Sequence, residues 1–326
     1  ALYEVKKVYQ NIGINKVVDN QYQIVNKYDF TNLSEFKLSW TIVGNGKEIK
    51  TQIIENMNVA PHDTSTFEVN FKDFNYTPGV EYFINFSLTM RKDDGLLKRN
   101  HELAKEQIPL HYESAVITGI VKRKAAPVTN FDGKYFSIKT DALIINFDTT
   151  SWMVSSLIMD QMEYLGDIIQ PLFWRAPNDN DFGNRMDQRQ AMWRNAHKNL
   201  KLLSVDHKLN DNNQYIINTD YYMEDLRSSL NIKYLISGEG KIDIEMDFKP
   251  GIKGLQDLPR FGYLLVINDM KDIKYYGRGP HENYCDRNTS SFIGLYGGNI
   301  NDQYFPYIRP QENGYKTDNR WMLLNN

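Results

Sequence analysis

Polar and apolar residues alternate along the first hundred positions. Phe36, Leu38, Trp40 and Ile42 are separated by Lys37, Ser39 and Thr41. A period of two places the four apolar side chains on one face of a strand. Gly44-Asn45-Gly46 follows and supplies the positive-φ positions of a tight hairpin. Tyr82, Ile84, Phe86, Leu88 and Met90 repeat the rhythm before the turn Asp93-Asp94-Gly95, and Phe67, Val69 and Phe71 make a third run. Strands with one oily and one wet face, joined by short turns, predict an antiparallel β-sandwich over residues 1–112. Residues 113–130, with Lys122-Arg123-Lys124-Ala125-Ala126-Pro127, read as a solvated linker. The strand rhythm resumes at Phe131, with turn signals at Asp132-Gly133 and Ser237-Gly238-Glu239-Gly240 and a half-wet strand at Ile242, Ile244, Met246 and Phe248. Residues 131–326 therefore read as a second, larger β-domain. One stretch breaks the rhythm: Met186, Ala191, Met192, Ala196 and Leu200 predict a helix from Arg185 to Leu203.

Composition narrows the function classes. The chain has 326 residues and a net charge of −3, enough for about two domains and too balanced to attract polyanions, so a nucleic-acid partner is not expected. No apolar run approaches the ~20 residues of a spanning helix, so no membrane role is expected either. The single cysteine, Cys285, excludes an internal disulfide framework and a multi-thiolate metal site. Aromatic residues make up 13% of the chain, with 21 Tyr and 16 Phe, which suits strands and supplies flat faces for sugar rings. The chain opens Ala1-Leu2-Tyr3-Glu4 without an initiator Met or a leader pattern, and ends in the uncapped apolar run Trp321-Met322-Leu323-Leu324-Asn325-Asn326. Both ends look cut, and we expect a piece of a longer, soluble protein, its compartment left open between cytoplasm and periplasm.

Three polar clusters could carry chemistry. The first is Arg175-Ala176-Pro177-Asn178-Asp179-Asn180-Asp181-Phe182-Gly183. Asp179 and Asp181 have the early spacing of a calcium loop, but Gly183 stands where a third oxygen should be and the twelfth position is Gln190, so the pattern fails. Two readings stay open: an Asx turn capping the helix that follows, or a rigid loop presenting carboxylates and amides to a hydroxyl-rich ligand or a neighbouring domain. The second cluster is Tyr275-Tyr276-Gly277-Arg278-Gly279-Pro280-His281-Glu282-Asn283-Tyr284, and the third is Tyr307-Ile308-Arg309-Pro310-Gln311-Glu312-Asn313-Gly314-Tyr315. Each sets a Glu-Asn pair (Glu282-Asn283, Glu312-Asn313) among aromatics, an arrangement that suits the hydroxyls and C–H face of a sugar and equally suits a self-satisfied turn. No phosphate-binding glycine pattern, nucleophile elbow or zinc-protease motif is present. His62, His111, His197 and His207 read as surface or turn histidines. Glu282 and Glu312 are conceivable acid/base partners, but glycoside hydrolysis needs two carboxyls at a set separation that sequence cannot supply.

Taken in order, Arg175–Asp181, Gly277–Tyr284 and Pro310–Gly314 resemble the landmarks of the last domain of LacZ-type β-galactosidases, of glycoside hydrolase family two. Tyr3–Gln10 looks like the segment leaving the catalytic barrel of those enzymes. The resemblance spans essentially the whole chain. It implies an all-β fold: an immunoglobulin-like sandwich followed by a galactose-mutarotase-like supersandwich, incomplete at its C-terminal end because the family's final strands, and an aromatic they bring to the sugar site, are missing. The loop opening at Gly183 would match a mobile loop near the active-site mouth, and Asp179, Asp181, Glu282 and Glu312 would be scaffold or cleft-side residues. Arg175, Asn178, Asn180, Asn283 and Asn313 join them as cleft-facing candidates. The family's catalytic glutamates and its magnesium and sodium ligands lie on the barrel, which no part of this chain resembles, so no catalytic residue, metal or cofactor is expected here. The expected partners are the barrel and N-terminal domains of the same polypeptide, the galactoside substrate, and further copies in a homo-oligomer. A free-standing carbohydrate-binding sandwich and a mutarotase-type epimerase stand as alternatives.

Overall fold

A computed structural model describes residues 2–55, 57–70, 74–113, 125–309 and 311–325. The chain is all-β. A short helix α1 (Leu2–Val8) precedes strands β1 (Ile12–Val18), β2 (Gln21–Asn26), β3 (Phe36–Gly44), β4 (Lys47–Ile54), β5 (Thr64–Glu68), β6 (Tyr82–Met90) and β7 (Glu102–His111). Then come β8 (Val128–Phe131), β9 (Tyr135–Lys139), β10 (Ile144–Asp148), β11 (Met153–Met159), β12 (Met162–Glu163) and β13 (Gln170–Leu172). Helices α2 (Asp179–Gly183) and α3 (Met186–Arg189) lead into β14 (Leu200–Leu209), β15 (Gln214–Met223), β16 (Ser228–Ser237), β17 (Ile242–Lys249) and β18 (Gly262–Leu264). The last strands are β19 (Asp272–Gly279), β20 (Phe292–Asn299) and β21 (Trp321–Asn325). By contact the chain divides into two units. One comprises Ala1–Thr118, Lys271–Phe305 and Asn313–Asn325, the other Gly119–Met270 and Pro306–Glu312. The basic stretch Lys122–Lys124 and Phe71 of the sequence reading lie outside the described residues.

In the first unit, sheets β1-β2-β5 and β4-β3-β6-β7 are antiparallel throughout. Their apolar faces share one core: Tyr22 of β2 sets its ring edge-on 5.0 Å from Phe86 of β6, and Phe67 of β5 does the same at 5.7 Å. Leu38, Trp40 and Ile42 of β3 and Ile84, Phe86 and Leu88 of β6 are buried on that face, as the alternation requires. Asn45 and Gly46 at the β3–β4 turn have φ of 44° and 78°, the left-handed pair of a tight hairpin. The outer face of β6 departs from the simple rhythm. Phe83 is buried there with Tyr276 of β19 and Ile293 of β20, in a small second cluster belonging to the sheet β20-β19-β21. Gln107 of β7 holds Ile293 through both amide groups: its amide NH2 donates to the Ile293 carbonyl at 2.9 Å and its oxygen accepts the Ile293 N–H at 2.7 Å.

The second unit is built from the five-stranded sheet β12-β11-β10-β9-β8, the four-stranded sheet β14-β15-β16-β17 and the short pair β13-β18. Ile138, Ile145 and Phe147 from the first of these meet Ile217, Tyr221, Ile232, Tyr234 and Ile236 from the second in one core. Phe147 packs edge-on to Tyr234 at 5.1 Å. The helix expected from Arg185 to Leu203 is not continuous. Only Met186–Arg189 is α-helical; Ala191–Trp193 and Ala196–Asn199 are single 3₁₀ turns, and β14 starts at Leu200. Gln190 and Asn195 leave the helical region (φ −105° and −117°), which lets Trp193 turn inward, pack against Phe248 and donate its indole N–H to the Gln256 carbonyl. Tertiary burial of one large ring overrides a weak helical periodicity.

Tyr221 is buried in this second core and donates its hydroxyl to the Ser151 carbonyl at 2.6 Å. Desolvation by burial pushes its phenol up to about 12. A phenol with a raised value stabilises the fold fully below its unfolded value near 10, and the contribution is lost as pH rises toward the folded value. Urea midpoints should therefore fall between about pH 10 and 12. Tyr221→Phe should cost about 1 kcal/mol at neutral pH and lessen that alkaline fall, to which Tyr234, Tyr263 and Tyr275 also contribute because burial raises their phenols. A difference between wild type and variant that does not shrink between about pH 10 and 12 would contradict the assignment.

Candidate functional site

The first polar cluster is organised by one carboxylate. Asn178 is the N-cap of α2, with extended backbone (φ −94°, ψ −179°). Its side-chain oxygen accepts the Asp181 N–H at 3.0 Å, and the Asp181 carboxylate accepts the Asn178 N–H at 2.9 Å, a reciprocal capping box. Arg175 approaches the same carboxylate with both terminal nitrogens, at 2.5 and 2.7 Å. Asp181 is only 6% exposed, so its charge is met by a planar fork and a backbone N–H rather than by water. The Arg175 hydrogen bonds, opposed by burial, hold its carboxyl below the usual range. Asp179 and Asn180 face solvent at the start of α2, and Gly183 ends it with open space where a Cβ would stand. Asp179 pairs with Arg309 at 3.1 Å, and the same guanidinium lies 4.9 Å from the ring centre of half-exposed Phe182.

Glu312 joins this loop from 136 residues away. Its carboxylate accepts the Ala176 N–H at 3.3 Å and is ion-paired with Arg260. Arg175, Asn178, Asp179, Asn180, Asp181, Gly183 and Glu312 thus all belong to the second unit, where Glu312 closes the loop at its base. Glu282, Asn283 and Asn313 belong to the first unit. Glu282 accepts from Arg287 at 2.6 Å and from the Gly314 N–H at 2.8 Å. Asn283 is fully buried. Its amide NH2 donates to the Arg278 and His281 carbonyls, and its oxygen accepts from the N–H and hydroxyl of Thr317. Asn313 grips Phe305 in the same way, accepting its N–H and donating to its carbonyl at 2.5 and 2.6 Å. Gly277 has no room for a side chain, because a Cβ would sit 2.9 Å from the Asn319 Cα. The neighbouring His281 stacks on Tyr3 at 3.7 Å, and burial, with Lys105 and Lys316 nearby, shifts its imidazole down.

Every carboxylate named from the sequence therefore meets an arginine: Asp179 with Arg309, Asp181 with Arg175, Glu282 with Arg287 and Glu312 with Arg260. A hard cation such as magnesium wants several oxygens converging without a competing cation. No group of three or more His, Cys, Asp or Glu side chains converges that way among the described residues. What these side chains hold in this structure is the chain itself, as clamps between loops. Arg260, Arg287 and Thr317 escaped the sequence reading because each lies outside the motif it completes or beyond its quoted end. Arg309 stood inside the third motif but gave no signal of its partner.

Two family models match in chain order. "Beta-galactosidase, domain 4" covers residues 22–111 and "Beta galactosidase small chain" covers residues 139–326. The chain belongs to the β-galactosidase small-chain family. Among curated relatives, a β-galactosidase of Priestia megaterium is 30% identical over 329 residues, covering 99% of this chain and 31% of the relative. One of Lactobacillus delbrueckii subsp. bulgaricus is 27% identical, covering 99% and 31%. One of Pseudoalteromonas haloplanktis is 25% identical, covering 93% and 30%. The chain thus spans about a third of the length of the β-galactosidases it matches.

Asp181→Asn keeps the shape of the capping box but removes the charge that Arg175 meets. Breaking a buried pair of this kind costs about 3 kcal/mol, read from urea unfolding. Because the Asp181 carboxyl is held low, its contribution is present above the ordinary carboxylate value of about 3.9 and is lost as pH falls through the lower folded value. The stability difference between wild type and variant should therefore shrink below about pH 4. A difference that persists undiminished in acid would remove the ion pair as its cause.

Proposed function

We propose that this chain is the non-catalytic domain-4 and small-chain part of a β-galactosidase that hydrolyses terminal β-galactosides with retention. It braces a separate catalytic barrel and forms part of the wall of its cleft. The observation that carries the reading is the state of the acidic side chains. A retaining glycosidase needs two carboxyls about 5 Å apart, one poised to give a proton. Here Asp181, Glu282 and Glu312 are each met by an arginine and a backbone N–H, and Asp179 pairs with Arg309 at the surface. Such groups fix loops in place; they do not trade protons with a substrate. The acid/base residue, the nucleophile and the magnesium and sodium sites then belong to the barrel.

The surface of α1 supports a packed neighbour. Leu2, Val5 and Tyr9 lie three and four positions apart, on one side of the helix and the turn that follows it, and are 82%, 50% and 79% exposed. The opposite side is anchored: Lys7 pairs with Glu106 at 2.6 Å and Glu4 accepts the Ser290 N–H at 2.9 Å. An apolar stripe held rigid in water is the form of surface that another part of the same polypeptide covers.

Purified chain should release no nitrophenol from a nitrophenyl β-galactoside. Co-expression with the barrel-bearing remainder should yield an active complex, weakened by Leu2→Asp with Val5→Asp. Turnover by the chain alone that disappears in Glu282→Gln or Glu312→Gln would overturn the proposal.

A further inference from the structure

The first unit contains a cleft of about 710 Å³ that the three sequence motifs reach only through Tyr276. Its floor is a closed hydrogen-bonded group. Glu81 receives Arg320 through two nitrogens, at 2.9 and 2.5 Å, and the hydroxyl of buried Tyr276 at 2.9 Å. Strand geometry builds the wall. On β19, Lys274 and Tyr276 are two residues apart and share a face. Antiparallel pairing puts Trp321 of β21 opposite Tyr276. Trp321, 46% exposed, and Tyr112, 61% exposed, both line the cleft. Lys274 and Lys47 also line the cleft, both exposed and neither in a salt bridge among the described residues.

The charge balance is uneven: three cationic side chains line the cleft against one carboxylate, and that carboxylate is already occupied by Arg320. The volume is that of a small-ligand site. Exposed indole and phenol faces suit the C–H side of a pyranose. The two free ammonium groups call for an anionic substituent. We propose that this cleft binds an acidic saccharide, a pyranose ring carrying a carboxylate or a sulfate, with Trp321 and Tyr112 against the ring and Lys47 and Lys274 on the charge. This assignment is independent of the proposed function, since it concerns binding by the chain itself.

The test is a titration of the whole chain, followed by tryptophan fluorescence and by calorimetry, with four probes: galacturonate, galactose 6-sulfate, neutral galactose and inorganic sulfate. Saturable binding of galacturonate or galactose 6-sulfate is expected, and whichever of the two binds identifies the charged group. Neutral galactose and inorganic sulfate should each bind roughly tenfold or more weakly, a loss of one charge contact or one ring face. Lys274→Met and Lys47→Met, both at exposed positions, should weaken the acidic sugar and reduce its salt dependence, and Tyr112→Ala should weaken it without changing that dependence. Trp321→Ala should abolish the fluorescence change. Equal binding of neutral galactose, equal binding of sulfate, absence of saturation with either acidic sugar, or indifference to both lysine variants would each overturn the proposal.

Discussion

A carboxylate taken out of water has to be met by a positive group and by hydrogen bonds, or the cost of its charge undoes the burial. The loops of this chain are arranged around that requirement. Asp181 is nearly inaccessible and can stay ionised because Arg175 lays a flat fork across both of its oxygens while the cap of α2 supplies a backbone N–H. Glu312, Glu282 and Glu81 repeat the solution with Arg260, Arg287 and Arg320. In each case the partners are far apart in sequence or sit on opposite arms of a turn, so meeting the charge also fixes a loop. The sheets supply rigidity through their ladders, and the arginines carry that rigidity out to the irregular segments between strands.

The sheets were legible in the sequence for a physical reason. A strand with one face in a core must alternate, so Leu38, Trp40 and Ile42, or Ile232, Tyr234 and Ile236, announce their own burial. The Asn45-Gly46 turn announces itself equally well, because few other pairs accept two left-handed residues. What could not be read was everything decided by a second strand or loop arriving from far away. Phe83 breaks the alternation of β6 only because Tyr276 and Ile293 stand outside that face. The apolar spacing from Met186 to Leu200 imitates a helix, yet the need to bury Trp193 breaks it into short turns. The carboxylates of the polar clusters were visible as candidates, but Arg260, 52 residues from Glu312, and Ala176, 136 residues from it, left no local trace. The asparagines show the same limit. A Glu-Asn dipeptide reads as a display of donors and acceptors, whereas Asn283 uses four hydrogen bonds to tie main chain that only the folded state brings near.

Membership in the β-galactosidase small-chain family fits this picture of a braced scaffold. The matched regions fall on both units and on the strands that carry the ion-paired loops. On the proposed reading, the chemistry of bond cleavage is separated from the architecture that shapes access to it. A loop such as Asn178–Gly183 then contributes through its position and stiffness. Its exposed members, Asp179, Asn180 and Phe182, form an outer rim whose composition can vary more freely than the Arg175–Asp181 anchor beneath.

The hairpin tip at Gly46 carries a practical consequence. Its φ of +78° would already disfavour a side chain, and a Cβ there would come within 2.6 Å of the Leu295 backbone nitrogen. The tip is wedged against another strand, unlike the turn at Gly95, where nothing lies within 4 Å. Gly95 has a left-handed φ of 55° too, so replacing it would strain the turn, but an inserted peptide or a repositioned pair of chain termini would find room there and would prise the strands apart at Gly46.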